Sequence, residues 1–196
     1  MAAFTFVAPI TRAETQPEAR AEAGAATPAA NSASLSGADL LTSKEVTITA
    51  EKKKSLVVVF LSAVCPCSNS HLSELKSLKN DFPDFAFVGI HSVASEPKEL
   101  TRSYFQKAEL PFPVLRDNAY KIADQYKALK TPHAFVIKPD GEIVYRGGVS
   151  SSSDFARADR KFLREALDDL EHQRPVKTKE GRTLGCAITR GEKYAW

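Results

Sequence analysis

The stretch that most narrows the fold is "SLVVVFLS", residues 55–62, which runs into Cys65-Pro66-Cys67. Its apolar, largely β-branched run leaves no polar alternate positions, so a strand made from it must be covered on both faces. Helical spacing begins immediately after the cysteines. Leu72, Leu75 and Leu78 recur every third residue, with Ser68 or Asn69 as candidate N-cap.

The rest of the chain continues this alternation. "EVTITA" (45–50) reads as a short strand, "FAFVGIHSV" (85–93) as a second apolar strand, and "EPKELTRSYFQKAE" (96–109) as a helix with Pro97 in its first turn. "FPVLRD" (112–117) reads as a short strand and "NAYKIADQYKAL" (118–129) as a helix. "HAFVIKPDGEIVYRGG" (133–148) is a hairpin turned at Pro-Asp-Gly. "DFARADRKFLREALDDLEH" (154–172) closes the domain as a helix with Phe155, Phe162, Leu163, Ala166 and Leu170 on its apolar side. Alternating strands and helices followed by a hairpin predict a three-layer α/β fold with a mixed central sheet flanked by helices. In such sheets the reactive site lies beyond the carboxyl ends of the strands, where Cys65 falls.

Length and composition bound the rest. A chain of 196 residues suits one domain with tails. Net charge is +3 and no basic run exceeds Lys52-Lys53-Lys54, which argues against a nucleic-acid partner. No apolar run approaches the ~20 residues that span a bilayer. Residues 1–40 read as a disordered leader or linker. Ala2 to Ile10 resembles the apolar core of an export signal, with small Thr11 and Ala13 beyond it, although a basic start is missing. A truncated export signal and a periplasmic or other extracytoplasmic location are expected; the alternative is a cytoplasmic protein with a disordered start. The folded domain is expected over 43–172, with an extension over 173–196 that carries Cys186.

Three cysteines are too few for a disulfide scaffold and do not form an even set. Structural bridge, metal clip and redox centre are the candidates for the Cys65-Pro66-Cys67 junction. A thiol at a helix N-terminus meets unpaired N–H groups and the positive end of the helix dipole, which can lower a cysteine pKa from ~8.5 to roughly 3.5–7.5. Pro66 fits the first turn, where a missing N–H costs little. A Cys65–Cys67 disulfide would close a very small, strained ring, and strained disulfides are more oxidising. Cys186 lies in "TLGCAITR", 14 residues beyond His172. That length spans up to ~45 Å when extended, so Cys186 can reach the junction. It is either a resolving thiol or an inert buried one. His71 and His133 could join Cys65 and Cys67 as a soft Cu(I) or Zn set. His71 is expected to face solvent, and His133 to flank the site as a polar neighbour. Redox chemistry without a cofactor is the leading expectation.

"FLSAVCPCSNSHLSEL", followed 64 residues after Cys67 by "TPHAFVI" and then "PDGEIVYRG", resembles the thioredoxin-like superfamily over about residues 43–172. Within it the redoxin, or alkyl hydroperoxide reductase/thiol-specific antioxidant, branch is the nearest match. The resemblance implies a thioredoxin fold with a cis-proline at Pro132, packed beside Cys65. It also implies a thiol–disulfide oxidoreductase, with Cys65 attacking and Cys67 or Cys186 resolving. Pro132, Ser62, Pro66, Thr131 and His133 would shape the groove. Protein or small-molecule thiols and disulfides would be the partners, and the oligomeric state stays open. The pattern departs from the superfamily in three places. Ser68 holds the slot of the second cysteine in Cys-x-x-Cys, and Ser62 stands where peroxiredoxins carry Thr. No Arg precedes His133-Ala134-Phe135, so thiol-dependent peroxide reduction, the first alternative, would need a cation such as Arg146. A non-enzymatic Cu(I)-binding module is the second alternative.

Overall fold

The run that dominates the sequence becomes strand β3 (Leu56–Leu61), all six residues of which are buried. The computed structural model describes residues 1–2 and 33–190, so the proposed export signal lies outside the described residues. Strand β3 pairs in parallel with β4 (Ala86–His91) and antiparallel with β7 (His133–Ile137). Strand β5 (Val114–Arg116) extends the parallel side and β8 (Ile143–Gly147) the antiparallel side, giving the order β5-β4-β3-β7-β8. This is the mixed sheet of a thioredoxin-like fold.

Both faces of β3 are covered, as its composition demands. Val57, Val59 and Leu61 pack with Leu75 and Leu78 of α1 (Pro66–Asp81), Phe105 of α2 (Lys98–Ala108), and Leu163 and Leu167 of α4 (Phe162–Glu171). Leu56, Val58 and Phe60 point the other way, onto Phe135, Ala123 of α3 (Lys121–Gln125), Leu35 and Ile188. The period of two along the strand sorts one apolar run into two cores.

Besides the cap of α1, which is Cys65 and not Ser68 or Asn69, the sequence reading differs from the structure in four places. Residues 34–38 were expected in the leader, yet they form β1 (Ser34–Ala38), paired antiparallel with β2 (Glu45–Thr49). Small, polar Ser34, Ser36 and Gly37 hide the strand signal, but Leu35 and Ala38 are buried. Asp39 fixes the turn, its carboxylate accepting from the Thr42 N–H and hydroxyl, each at 2.8 Å. Helix α3 is shorter than 118–129. Ala119 (φ 56°) and Tyr120 (φ 59°) are left-handed, so the α-helix begins at Lys121, where the Asp117 carboxylate accepts from the N–H groups of Ile122 (2.9 Å) and Ala123 (2.8 Å). Helix α4 likewise starts late. Asp154 accepts from the Ala156 N–H at 3.1 Å in a separate 3₁₀ turn, and the Ser151 N–H to Arg160 carbonyl bond (2.9 Å) closes the loop before Phe162.

The fourth difference concerns the tail, which shows little periodicity but runs back over the domain. The Arg146 N–H donates to the Lys179 carbonyl (2.9 Å), and the Gly181 N–H to the Arg146 carbonyl (3.0 Å), along the open edge of β8. A Cβ on Gly147 would lie 2.5 Å from the Gly181 carbonyl oxygen, so only glycine admits this approach. The tail then forms β9 (Cys186–Ala187), antiparallel to β6 (Lys130–Thr131). Among the described residues no helix is long and apolar enough to cross a membrane.

Candidate active site

Strand β3 delivers the chain to Cys65, the N-cap of α1, with extended backbone (φ −81°, ψ 113°) and Pro66 in the first helical turn. No side-chain oxygen caps this turn and no acidic residue lies in it. The unpaired N–H groups and the positive helix end therefore face the sulfur without competition. Cys65 is buried, and its S–H donates to the Thr131 carbonyl at 3.1 Å. The Thr131–Pro132 bond is cis. Pairing of Thr131 with Cys186 brings the third cysteine across from the other side. The sulfurs of Cys65, Cys67 and Cys186 all lie within 4.8 Å of one another, and all three are free thiols.

Electrostatics divide the trio into one acid and two reluctant ones. Burial pushes Cys65 up, but hydrogen bonds from the Cys186 and Thr131 side chains and from the Ser68 and Cys186 backbones outweigh it, bringing the pKa down to about 7. Among the described residues the buried Thr131 hydroxyl has no partner while the thiol points its proton at the Thr131 carbonyl, and its hydrogen bond to the Cys65 sulfur is the one it makes once that proton leaves. Burial raises Cys186 to about 12, assisted by its hydrogen bond to Cys65 and the charges of Cys65 and Cys67. Burial and the Cys65 charge raise Cys67 as well. At neutral pH the arrangement is one partly ionised thiolate solvated by two thiols.

Behind the sulfur Ser62 joins a buried network whose other side chains, Glu96 and His91, sequence reasoning missed. The Cys65 N–H donates to Ser62 Oγ at 3.0 Å, and the Ser62 hydroxyl donates to Glu96 Oε1. The Glu96 carboxylate also accepts from the Ala63 N–H (2.8 Å) and meets His91 Nε2 (3.0 Å). Glu96 thus braces the turn between β3 and α1. An acid just before Pro97 at a helix start reads as a solvated cap in sequence; only the fold turns it inward. Burial raises its pKa, but hydrogen bonds from His91, Ser62 and Ala63 and the His91 charge prevail, leaving it below the ordinary carboxylate value. A depressed carboxylate pKa contributes stability that is complete above the unfolded value of ~4.3 and is lost as pH falls through the folded value. Glu96→Gln should therefore cost about 1–3 kcal/mol at pH 7. Acid titrations of unfolding should show the difference from wild type shrinking below about pH 4; a difference that stays constant into acid would contradict this role.

The remaining expected residues separate. Pro66 is exposed on the first turn of α1, and Thr131 is fully buried beside Cys65. His71 is buried, not solvent-facing: its Nδ1–H donates to the Cys67 carbonyl (2.7 Å), and Nε2 accepts from the Ser150 hydroxyl (2.8 Å). Burial lowers its pKa, so it is a neutral brace for the first turn of α1. His133 stacks on Phe135 with ring centroids 4.4 Å apart and borders a cavity of about 180 Å³ with Tyr126, Arg146 and Thr183. Burial and the Arg146 charge bring its pKa down to about 4. Neither histidine joins the sulfurs; among the described residues the group able to hold a soft metal is Cys65, Cys67 and Cys186 alone. Arg146, the candidate cation, pairs instead with Glu180 (Nε–Oε1 3.0 Å), and the influences that lower Cys65 include no cation.

Comparison with known proteins places this geometry. The AhpC/TSA family model matches residues 27–146. The chain belongs to the AhpC/TSA family. Membership makes it a redox protein of the thiol–disulfide oxidoreductase and peroxidase type. An uncharacterized conserved protein from Geobacillus kaustophilus is similar in structure, with TM-score 0.74 and 25% identity over 86% of this chain and 95% of that one. A hypothetical protein from Sinorhizobium meliloti aligns with TM-score 0.72 at 23% identity, over 83% and 94% of the two chains. Peroxidoxin BcpB from Mycobacterium tuberculosis shares the fold at 18% identity, TM-score 0.54, over 74% and 97%. No curated protein matches the chain.

Proposed function

We propose that this AhpC/TSA protein is a thiol–disulfide oxidoreductase whose nucleophile is Cys65 and whose resolving thiol is Cys186. The observation that carries the reading is the meeting of three sulfurs within 4.8 Å around one thiol whose pKa is about 7. The Cys65 thiolate attacks one sulfur of a disulfide, forming a mixed disulfide and releasing the other sulfur as a thiolate. That step removes the charge from Cys65. Burial of Cys186 persists, but two of the influences that raised its pKa, its hydrogen bond to the Cys65 thiolate and the repulsion from it, disappear. Cys186 then loses its proton more readily and attacks Cys65, expelling the second thiolate and leaving a Cys65–Cys186 bridge. The reverse sequence oxidises a partner dithiol. Cys67 is the alternative resolver, through the smaller ring.

Peroxide reduction at the same thiolate is the second reading, favoured by family membership and by Ser62, whose hydroxyl sits on the Cys65 N–H. Thiol-coupled consumption of hydrogen peroxide distinguishes it from disulfide exchange.

The pH dependence of labelling tests the nucleophile. Iodoacetamide should modify Cys65 first, with a rate that rises through a midpoint near pH 7, while an ordinary thiol titrates near ~8.5. Quantified by peptide mapping, equal labelling of all three cysteines at about pH 6 would defeat the assignment.

A further inference from the structure

Among the described residues strand β6 pairs with one partner, the chain's own tail. The Ile188 N–H donates to the Leu129 carbonyl at 2.9 Å, and Cys186 pairs with Thr131, so residues 186–188 lie as an added antiparallel strand beside the cysteine site. Such added strands take affinity from backbone pairing and specificity from alternate side-chain pockets. Three features fix this one. A Cβ on Gly185 would lie 2.0 Å from the Thr131 carbonyl oxygen and 2.7 Å from its carbon. The φ of Gly185 is outside the left-handed region, so glycine is demanded by close approach and not by a bend. Ile188 is buried in the core cluster with Phe60 and Phe135. Arg190 pins the end, with Nε 2.7 Å from Asp124 Oδ1 and a second bond to the Ala128 carbonyl. Beside the lane, Val64 and Leu129 are 57% and 63% exposed, an apolar margin that the tail leaves uncovered.

We infer that Gly185–Ile188 is a resident mimic of the protein's partner: an extended segment with glycine before its cysteine and an aliphatic residue two places after it, which docks in this lane when the tail leaves. The inference rests on the proposed function. It makes release and resolution one event, because the returning tail displaces the partner strand and brings Cys186 to the mixed disulfide. Small disulfides need no strand and react with the tail in place.

A peptide of sequence Thr183–Arg190 tests this, its cysteine carried as a mixed disulfide with 5-thio-2-nitrobenzoate. The Cys65 thiolate attacks the peptide sulfur, and the more acidic aromatic thiolate leaves, giving a coloured anion and an adduct of known mass. The small disulfide 5,5′-dithiobis(2-nitrobenzoate) serves as reference. Unpinning the tail with Ile188→Ser, or independently with Arg190→Ala, should raise the peptide-to-reference rate ratio about 10-fold, as the lane becomes populated in its open form. The same peptide with valine in place of its glycine should lose most of that gain. Reaction with the reference but an unchanged ratio in both variants, or equal rates for the two peptides, would overturn the inference and leave the proposed function standing. No reaction of Cys65 with either reagent would overturn both.

Discussion

Cys65→Ser should abolish reaction with disulfides at its first step. The substitution keeps the N-cap position, the Thr131 contact and the volume, so the fold should persist while the thiolate at the head of α1 is gone. Deleting a covalent nucleophile commonly costs about 1,000-fold or more in turnover, and that is the loss expected here. The check is a burst experiment with a small aromatic disulfide. Wild type should release two equivalents at pH 7, one on attack by Cys65 and a second on resolution, and Cys65→Ser none, with an unchanged unfolding midpoint. A retained burst would move the nucleophile to Cys67.

The second large effect separates attack from resolution. Cys186→Ser should retain the first burst but trap the mixed disulfide, lowering steady-state turnover by about 10- to 100-fold, because the remaining Cys65–Cys67 ring is strained. Serine still offers a hydrogen bond to the Cys65 thiolate, whereas alanine removes one of the influences that hold its pKa near 7. Cys186→Ala should therefore slow even the burst at neutral pH. The first unit by which the pKa rises above 7 cuts the thiolate fraction at pH 7 from about one half to about one tenth, and each further unit cuts it about 10-fold more. Rates above pH 9 should recover. Full cycling in Cys186→Ser would return the resolving role to Cys67 or to an external thiol.

Much of this site was legible in the chain because the residues that build it are local. The run Leu56–Leu61 announces a doubly covered strand, Leu75 and Leu78 the helix face that covers it, and Cys65 falls at their junction for reasons of spacing alone. What sequence could not show depends on contacts between distant segments. Glu96 becomes a buried brace only because β4 runs beside β3, His71 only because the loop at Ser150 closes over α1, and Arg146 is withdrawn from candidacy by Glu180 in the tail. The tail itself lacks periodicity because it forms neither a helix nor a full strand. Its order comes from paired backbone at Arg146 and Thr131, and Gly181 and Gly185 mark those approaches without announcing them. At Gly185 the reason for glycine is steric, the 2.0 Å that a Cβ would leave to the Thr131 oxygen.

The central claim is that Cys65 and Cys186 form the working disulfide, and a peptide map of the oxidised protein without reduction tests it most directly. Trypsin leaves Cys65 and Cys67 together in residues 55–76 and Cys186 in residues 183–190. After oxidation and blocking of free thiols, the account predicts these two peptides joined, with fragmentation placing the bridge on Cys65 and the block on Cys67. Recovery of blocked 183–190 alone, beside a 55–76 peptide lighter by two hydrogens, would show a Cys65–Cys67 bridge and contradict it.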